Sequence, residues 1–105
     1  MAIGSNANGV IERVFERAGL RRFFTVICDS HVEGVEKPDR RFFEILVARA
    51  GARPETTVHV GDLFHVDVVG ARGAGLRAIL FDPHNLYAGH DVERLTRLDE
   101  LTGRL

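Results

Sequence analysis

The sequence predicts an α/β fold built on a parallel sheet, and three observations carry that prediction. First, the runs Phe23–Cys28, Thr57–Val60 and Ala78–Phe81 are short, rich in β-branched or aromatic residues, and largely apolar. Such runs suit strands buried on both faces. Second, apolar residues recur at helical spacing between them, as in Val10, Ile11, Val14, Phe15 and Ala18, and again in Phe42, Phe43, Leu46, Val47 and Ala50. Third, each strand-like run stops at polar or turn-forming residues: Asp29, Gly61-Asp62 and Asp82-Pro83. Strands alternating with helices place helices over both faces of one sheet.

The elements follow in order. Ala2-Ile3 is a very short apolar piece, and Ser5, Asn6, Asn8 and Gly9 form a polar turn. A helix is expected from about Gly9 to Ala18, closed by Gly19. The strand Phe23–Cys28 gives way to a polar loop from Asp29 to Glu36. Pro38 suits the first turn of the next helix, whose amphipathic stripe ends at Gly51. After the strand Thr57–Val60, the residues Val66, Val69 and Ala71 suggest a short helix broken by Gly73 and Gly75. The strand Ala78–Phe81 precedes a loop from His84 to Asp91. The spacing of Leu95, Leu98, Leu101 and Leu105 predicts a final helix.

The 105 residues suffice for one small domain, and no linker, repeat or low-complexity tract divides them. Fourteen Lys/Arg against fifteen Asp/Glu leave a net charge of −1, without the basic excess of a nucleic-acid binder. No apolar stretch approaches the roughly 18 residues of a membrane span, and no signal peptide is visible at the N-terminus. Cys28 is the only cysteine, which rules out an intrachain disulfide and suits a reducing cytoplasm, the expected location.

In an open α/β sheet, ligands bind beyond the carboxyl ends of the strands. Asp62 follows a strand directly and Asp67 lies five residues on, so the two carboxylates can hold Mg²⁺, a hard cation that takes oxygen ligands. Lys37, just before Pro38 at a helix start, can meet a phosphate as a point charge. Ser5 and Asn6 can donate hydrogen bonds to a phosphoryl oxygen, although the same residue types also cap helices. Gly70, Gly73 and Gly75 follow a helix instead of opening one, so they are not a dinucleotide fingerprint. His59, His65, His84 and His90 lack a compact metal-ligand spacing.

Lys37-Pro38-Asp39, then Phe42-Phe43, His59-Val60-Gly61-Asp62, Asp67, Gly70-Ala71 and Ala74-Gly75-Leu76 resemble, in order and spacing, the third and fourth motifs of haloacid dehalogenase-like hydrolases. Ser5-Asn6 after Ile3 resembles the second motif. The resemblance implies a Rossmann-like parallel sheet, Mg²⁺ and a phosphorylated small molecule. It assigns Ser5 to phosphate binding, Lys37 to charge stabilisation, Asp62 to the metal, and Asp67 to the metal or to a supporting contact.

The departure from the family lies in its first motif. The family's nucleophile is the first aspartate of an Asp-x-Asp pair at the end of the first strand. The aspartates here are Asp29, Asp39, Asp62, Asp67, Asp82, Asp91 and Asp99, and no two are two residues apart. The chain is therefore expected to be a partial core, residues 1–105, without the central first strand and the cap, and inactive alone. Asp29 is the best substitute nucleophile, since it also ends a strand. In the family's sheet the first strand lies between the second and fourth. Its absence predicts either direct pairing across the gap, a homodimer, or a partner chain that supplies a strand.

Overall fold

The computed structural model describes residues 1–105. Its strands are β1 (Ala2–Ser5), β2 (Val26–Asp29), β3 (Val58–Gly61), β4 (Arg77–Phe81) and β5 (Glu93–Leu95). Its helices are α1 (Ile11–Arg17), α2 (Ser30–Glu33), α3 (Arg40–Arg49) and α4 (Gly70–Gly73). Every strand pair is parallel, as the apolar runs predict. The strands form two sheets, β1-β2 and β3-β4-β5. Direct pairing of β1 with β3 is an expectation the structure overturns: the two edges stay apart across an apolar groove.

Helix α3 joins the two sheets from one face. Its stripe divides by one residue in register. Phe42 and Leu46 pack with Cys28 beside Ala2 and Val26, while Phe43 and Val47 pack with Val68, Ala71, Ala78 and Leu80. Phe42 and Phe43 are fully buried, each worth about 1.5–3 kcal/mol of transfer free energy. Gly4 lets the helix come close, because a Cβ there would lie 2.7 Å from Leu46 Cδ2 and 2.9 Å from Phe42 Cε1. Asp39 caps α3 by accepting from the Arg41 N–H, so the helix starts two residues after Pro38.

Three boundaries differ from expectation for identifiable reasons. The segment Arg21–Phe23 is a 3₁₀ turn with Phe23 half exposed, and the strand starts only at Val26. The polar stretch after Asp29 contains the turn α2, closed by Gly34 at φ 75°. Leu95 belongs to β5, where it pairs with Phe81 and is buried, and only Leu98–Arg104 coils, as 3₁₀. Leucines three and four apart fit a helix by period alone, and pairing to the open edge of β4 decided otherwise.

Cys28 is fully buried, and burial, with the nearby Glu33 charge, pushes its thiol up, as for a packed residue and not a nucleophile.

Candidate functional site

The carboxyl ends of β1, β2 and β3 gather the expected site residues along one rim. β1 ends at Ser5, paired in register with Asp29, and Asn6 follows it. The Asn6 side chain then reaches the Lys37 backbone: Nδ2 donates to the Lys37 carbonyl at 2.9 Å, and the Lys37 N–H donates to Oδ1 at 2.8 Å. A side-chain amide thus pairs with a peptide group as a neighbouring strand would.

Lys37 turns its ammonium inward to Asp67. Nζ lies 2.8 Å from Asp67 Oδ1, and both side chains are nearly buried. His59 Nε2 lies 2.9 Å from the same oxygen, and the Leu63 N–H donates to Oδ2 at 3.1 Å. Burial alone would raise the Asp67 pKa. The hydrogen bonds from His59, Lys37 and Leu63, with the Lys37 charge, outweigh it and hold the carboxyl well below the usual range. The His59 ring is itself fixed edge-on against Phe43, with centroids 5.1 Å apart. Gly61 leaves the space for this carboxylate, since a Cβ there would overlap Asp67. The segment carrying Asp67, Phe64–Val69, winds as a π-type turn into α4, a geometry frequent at functional sites.

Asp62 is exposed just past β3, and its carboxylate makes no hydrogen bond or ion pair within the chain. It fits a metal ligand that shares its ion with phosphate oxygens and water, the usual manner of Mg²⁺. Asp67 already receives three donors on its two oxygens, which leaves about one lone-pair direction open. No cluster of three or more His, Cys, Asp or Glu is placed to hold a metal. Of Asp29, Asp62 and Asp67, only Asp62 has its carboxylate free.

Asp29 is committed elsewhere. Its Oδ1 accepts from the Gly9 and His31 N–H groups at 3.0 Å, and its Oδ2 from Gly9 at 2.9 Å and Ile11 at 3.2 Å. Four contacts use the roughly four lone-pair directions of a carboxylate. Asp29 caps α2 and anchors the turn before α1, which removes the reason to regard it as a substitute nucleophile. The Ser30 hydroxyl ties the same turn down, accepting from the Ala7 N–H and donating to the Ala7 carbonyl.

The geometry thus separates three roles. Ser5 and Asp62 stand at the rim, Asn6 and Asp67 position Lys37, and Asp29 and Ser30 shape the loop. Sequence reasoning missed His59, dismissed for lack of a metal pattern. The available signal was period two in β3, which puts His59 on the same face as Gly61.

Ser5 and Asp62 thus stand at strand ends of a parallel α/β core with Lys37 tied to the same rim, an arrangement that resembles the haloacid dehalogenase-like motifs. Comparison with known proteins agrees: the model of the haloacid dehalogenase-like hydrolases matches residues 1–75, and the chain belongs to that family. It is 36% identical over 100 residues to glyceraldehyde 3-phosphate phosphatase of Methanothermobacter thermautotrophicus, covering 92% of this chain and 44% of that protein. It is 38% identical over 85 residues to phosphoserine phosphatase of Thermus thermophilus, covering 78% and 34% respectively. Among solved structures, an HAD phosphatase from Thermococcus onnurineus superimposes with a TM-score of 0.89 at 25% identity, covering 98% of this chain and 48% of that one. The putative HAD-hydrolase YfnB from Bacillus subtilis, solved bound to magnesium, gives 0.87 at 25% identity, covering 99% and 48%. The fold is therefore the Rossmann-like one of this family, and the chain spans less than half the length of these relatives.

Proposed function

We propose that residues 1–105 form the phosphate- and metal-facing part of a Mg²⁺-dependent phosphate-monoester hydrolase, and that they do not turn over substrate alone. The observation that carries this reading is Lys37, held at the rim by Asn6 on its backbone and by Asp67, itself bonded to His59, on its ammonium. Phosphoryl transfer is catalysed mainly by positioning and charge neutralisation, and a fixed cation beside a strand-end serine supplies both.

In this reading the Ser5 hydroxyl donates to a phosphoryl oxygen and Lys37 offsets phosphoryl charge. Asp67 keeps Lys37 in place. Asp62 would hold Mg²⁺, which when bound neutralises charge on the phosphoryl oxygens. The aspartate that attacks phosphorus in the family comes from outside these residues, since the chain has no Asp-x-Asp and Asp29 is fully hydrogen-bonded. The substrate class is a phosphorylated small molecule, in keeping with relatives named as phosphatases of such compounds. Phosphate binding draws on one lysine and not on a basic patch, and no helix is long and apolar enough to cross a membrane. A reducing, cytoplasmic setting suits the single free cysteine.

The test is hydrolysis of an aryl phosphate by the purified chain, with and without Mg²⁺, beside Asp62→Asn. The expected result is no turnover above the variant, together with Mg²⁺-assisted binding of inorganic phosphate that Lys37→Met abolishes. Turnover requiring both Mg²⁺ and Asp62 would refute inactivity of the isolated chain. Phosphate binding indifferent to Lys37 would refute the site.

A further inference from the structure

We propose that Asn8-Gly9, in the turn between β1 and α1, is a latent self-modification site: its side-chain amide can deamidate, and the Asp29 carboxylate holds the reaction closed.

Deamidation at such a pair is a reaction of the chain with itself. The Gly9 nitrogen attacks Asn8 Cγ, and the new C–N bond closes a succinimide ring. The Asn8 Nδ2 leaves as ammonia and carries off the proton that Gly9 gives up. Water then opens the ring at either carbonyl, which leaves aspartate or isoaspartate at position 8. Glycine favours the first step because it has no Cβ to obstruct the approach. The nitrogen attacks only once it has lost its proton, so whatever holds that proton on slows the reaction. Either product adds a negative charge two residues from Asn6, whose amide pairs with the Lys37 backbone.

The turn leaves the electrophile free and ties down the nucleophile. Asn8 is exposed, and neither its side chain nor its own N–H is hydrogen-bonded within the chain. Gly9 sits at φ 96°, in the region that glycine takes without strain. Its N–H donates to Asp29 Oδ1 at 3.0 Å and to Oδ2 at 2.9 Å. Asp29 is buried and also accepts from Ile11 and His31, so the carboxylate cannot swing away. The His31 ring closes over Gly9, where a Cβ would lie 2.9 Å from its Cδ2. On the other side of Asn8, the Ser30 hydroxyl holds both the N–H and the carbonyl of Ala7. Only the Asn8 side chain is left at liberty.

The Asp29 charge decides the sign. A carboxylate at hydrogen-bond distance from a reacting N–H has the geometry of a general base. It is far too weak a base to take a proton from a peptide amide, however, so its main effect is repulsion. Ionising the Gly9 nitrogen would set a second negative charge beside the first in a part-buried turn, and a like charge disfavours ionisation. Each pKa unit of that effect lowers the attacking form about tenfold.

The experiment incubates the full chain at mildly alkaline pH. Peptide mapping with mass spectrometry follows residue 8, reads the amide-to-acid mass gain and separates isoaspartate from aspartate. The parent unfolded in guanidinium should deamidate at Asn8, while the folded parent stays intact over the same time. Asp29→Asn, checked for folding by circular dichroism, should deamidate at residue 8 at least about tenfold faster than the folded parent. Ser30→Ala frees Ala7 in the same turn and leaves the Gly9 N–H on Asp29, so it separates loosening from charge. It should stay close to the parent rate. If Asp29→Asn does not fold, hydrogen exchange in the folded parent tests the same point, because base-catalysed exchange also passes through the ionised nitrogen. The Gly9 amide should then exchange at least about tenfold more slowly than the unbonded Asn8 amide. An unfolded parent that stays intact at Asn8 overturns the latent site. A folded parent that deamidates at the unfolded rate, or a Gly9 amide that exchanges as fast as Asn8, overturns the closure. Asp29→Asn no faster than the parent, or Ser30→Ala as fast as Asp29→Asn, overturns the role of the Asp29 charge.

Discussion

The side-chain amide of Asn6 pairs with the backbone of Lys37 across 31 residues of sequence, by hydrogen bonds of 2.9 and 2.8 Å. This contact fixes the lysine from the side opposite its ammonium. Asn6→Ala removes both bonds at an exposed position and should cost about 1 kcal/mol of stability, near the net value of an ordinary hydrogen bond. Urea denaturation checks that figure. Inorganic phosphate should bind more weakly to the variant than to the parent, since Lys37 then has to be ordered on binding. Unchanged phosphate affinity would show that Asn6 does not position the lysine.

Asp67 should impose a pH dependence on stability. Its folded pKa is depressed, so its contribution is fully present above the unfolded value of about 4. That contribution should fall as pH drops from there towards the lower folded value, where both states bind the proton. Urea midpoints measured between pH 7 and pH 2 should therefore decline below about pH 4 more steeply in the parent than in Asp67→Asn. At neutral pH the variant should be less stable by about 3 kcal/mol or more, because it leaves Lys37 unpaired in a nearly buried position.

The alternation of strands and helices, the parallel pairing and the α3 stripe were legible because burial on two faces imposes an apolar pattern, whereas the division of that stripe between two sheets was not. Ser5, Lys37, Asp62 and Asp67 could be placed at one rim because strand ends carry polar residues. What the sequence could not show was which carboxylate is free. Asp29, Asp62 and Asp67 all follow or approach a strand end, yet one accepts backbone N–H groups, one is unengaged and one holds a lysine. That depends on contacts 20 to 30 residues apart, which no local period encodes. His59 was hidden for the same reason, since its partner lies across a turn and its meaning depends on Gly61 having no Cβ.

His59 should carry its proton on Nε2, because the atom facing it is a carboxylate that can only accept. ¹⁵N shifts of the imidazole nitrogens report the tautomer directly. His59→Phe should retain the edge-on packing with Phe43 and lose only the bond to Asp67, a cost of about 1.5–3 kcal/mol for a hydrogen bond to a charged group. A stability equal to that of the parent would mean that Lys37 and the Leu63 N–H satisfy the carboxylate without it.

Asp29→Ala separates a cap from a nucleophile. The carboxylate serves the N–H groups of Gly9, Ile11 and His31, and Asp29 is itself buried. Loss of an N-cap costs about 1 kcal/mol, and the part-buried Gly9 and Ile11 donors left without a partner add at most about 1–3 kcal/mol each. The sum is a large share of the stability of a small domain, so the Asp29→Ala chain should unfold at much lower urea or fail to fold. Asp29→Asn keeps one acceptor oxygen and should lie between the two. If Asp29 were the attacking group, Asp29→Asn would instead leave the urea midpoint unchanged and remove whatever aryl-phosphate turnover the parent shows. The hydrogen-bond geometry predicts the opposite order: a clear loss of stability, with no turnover to lose.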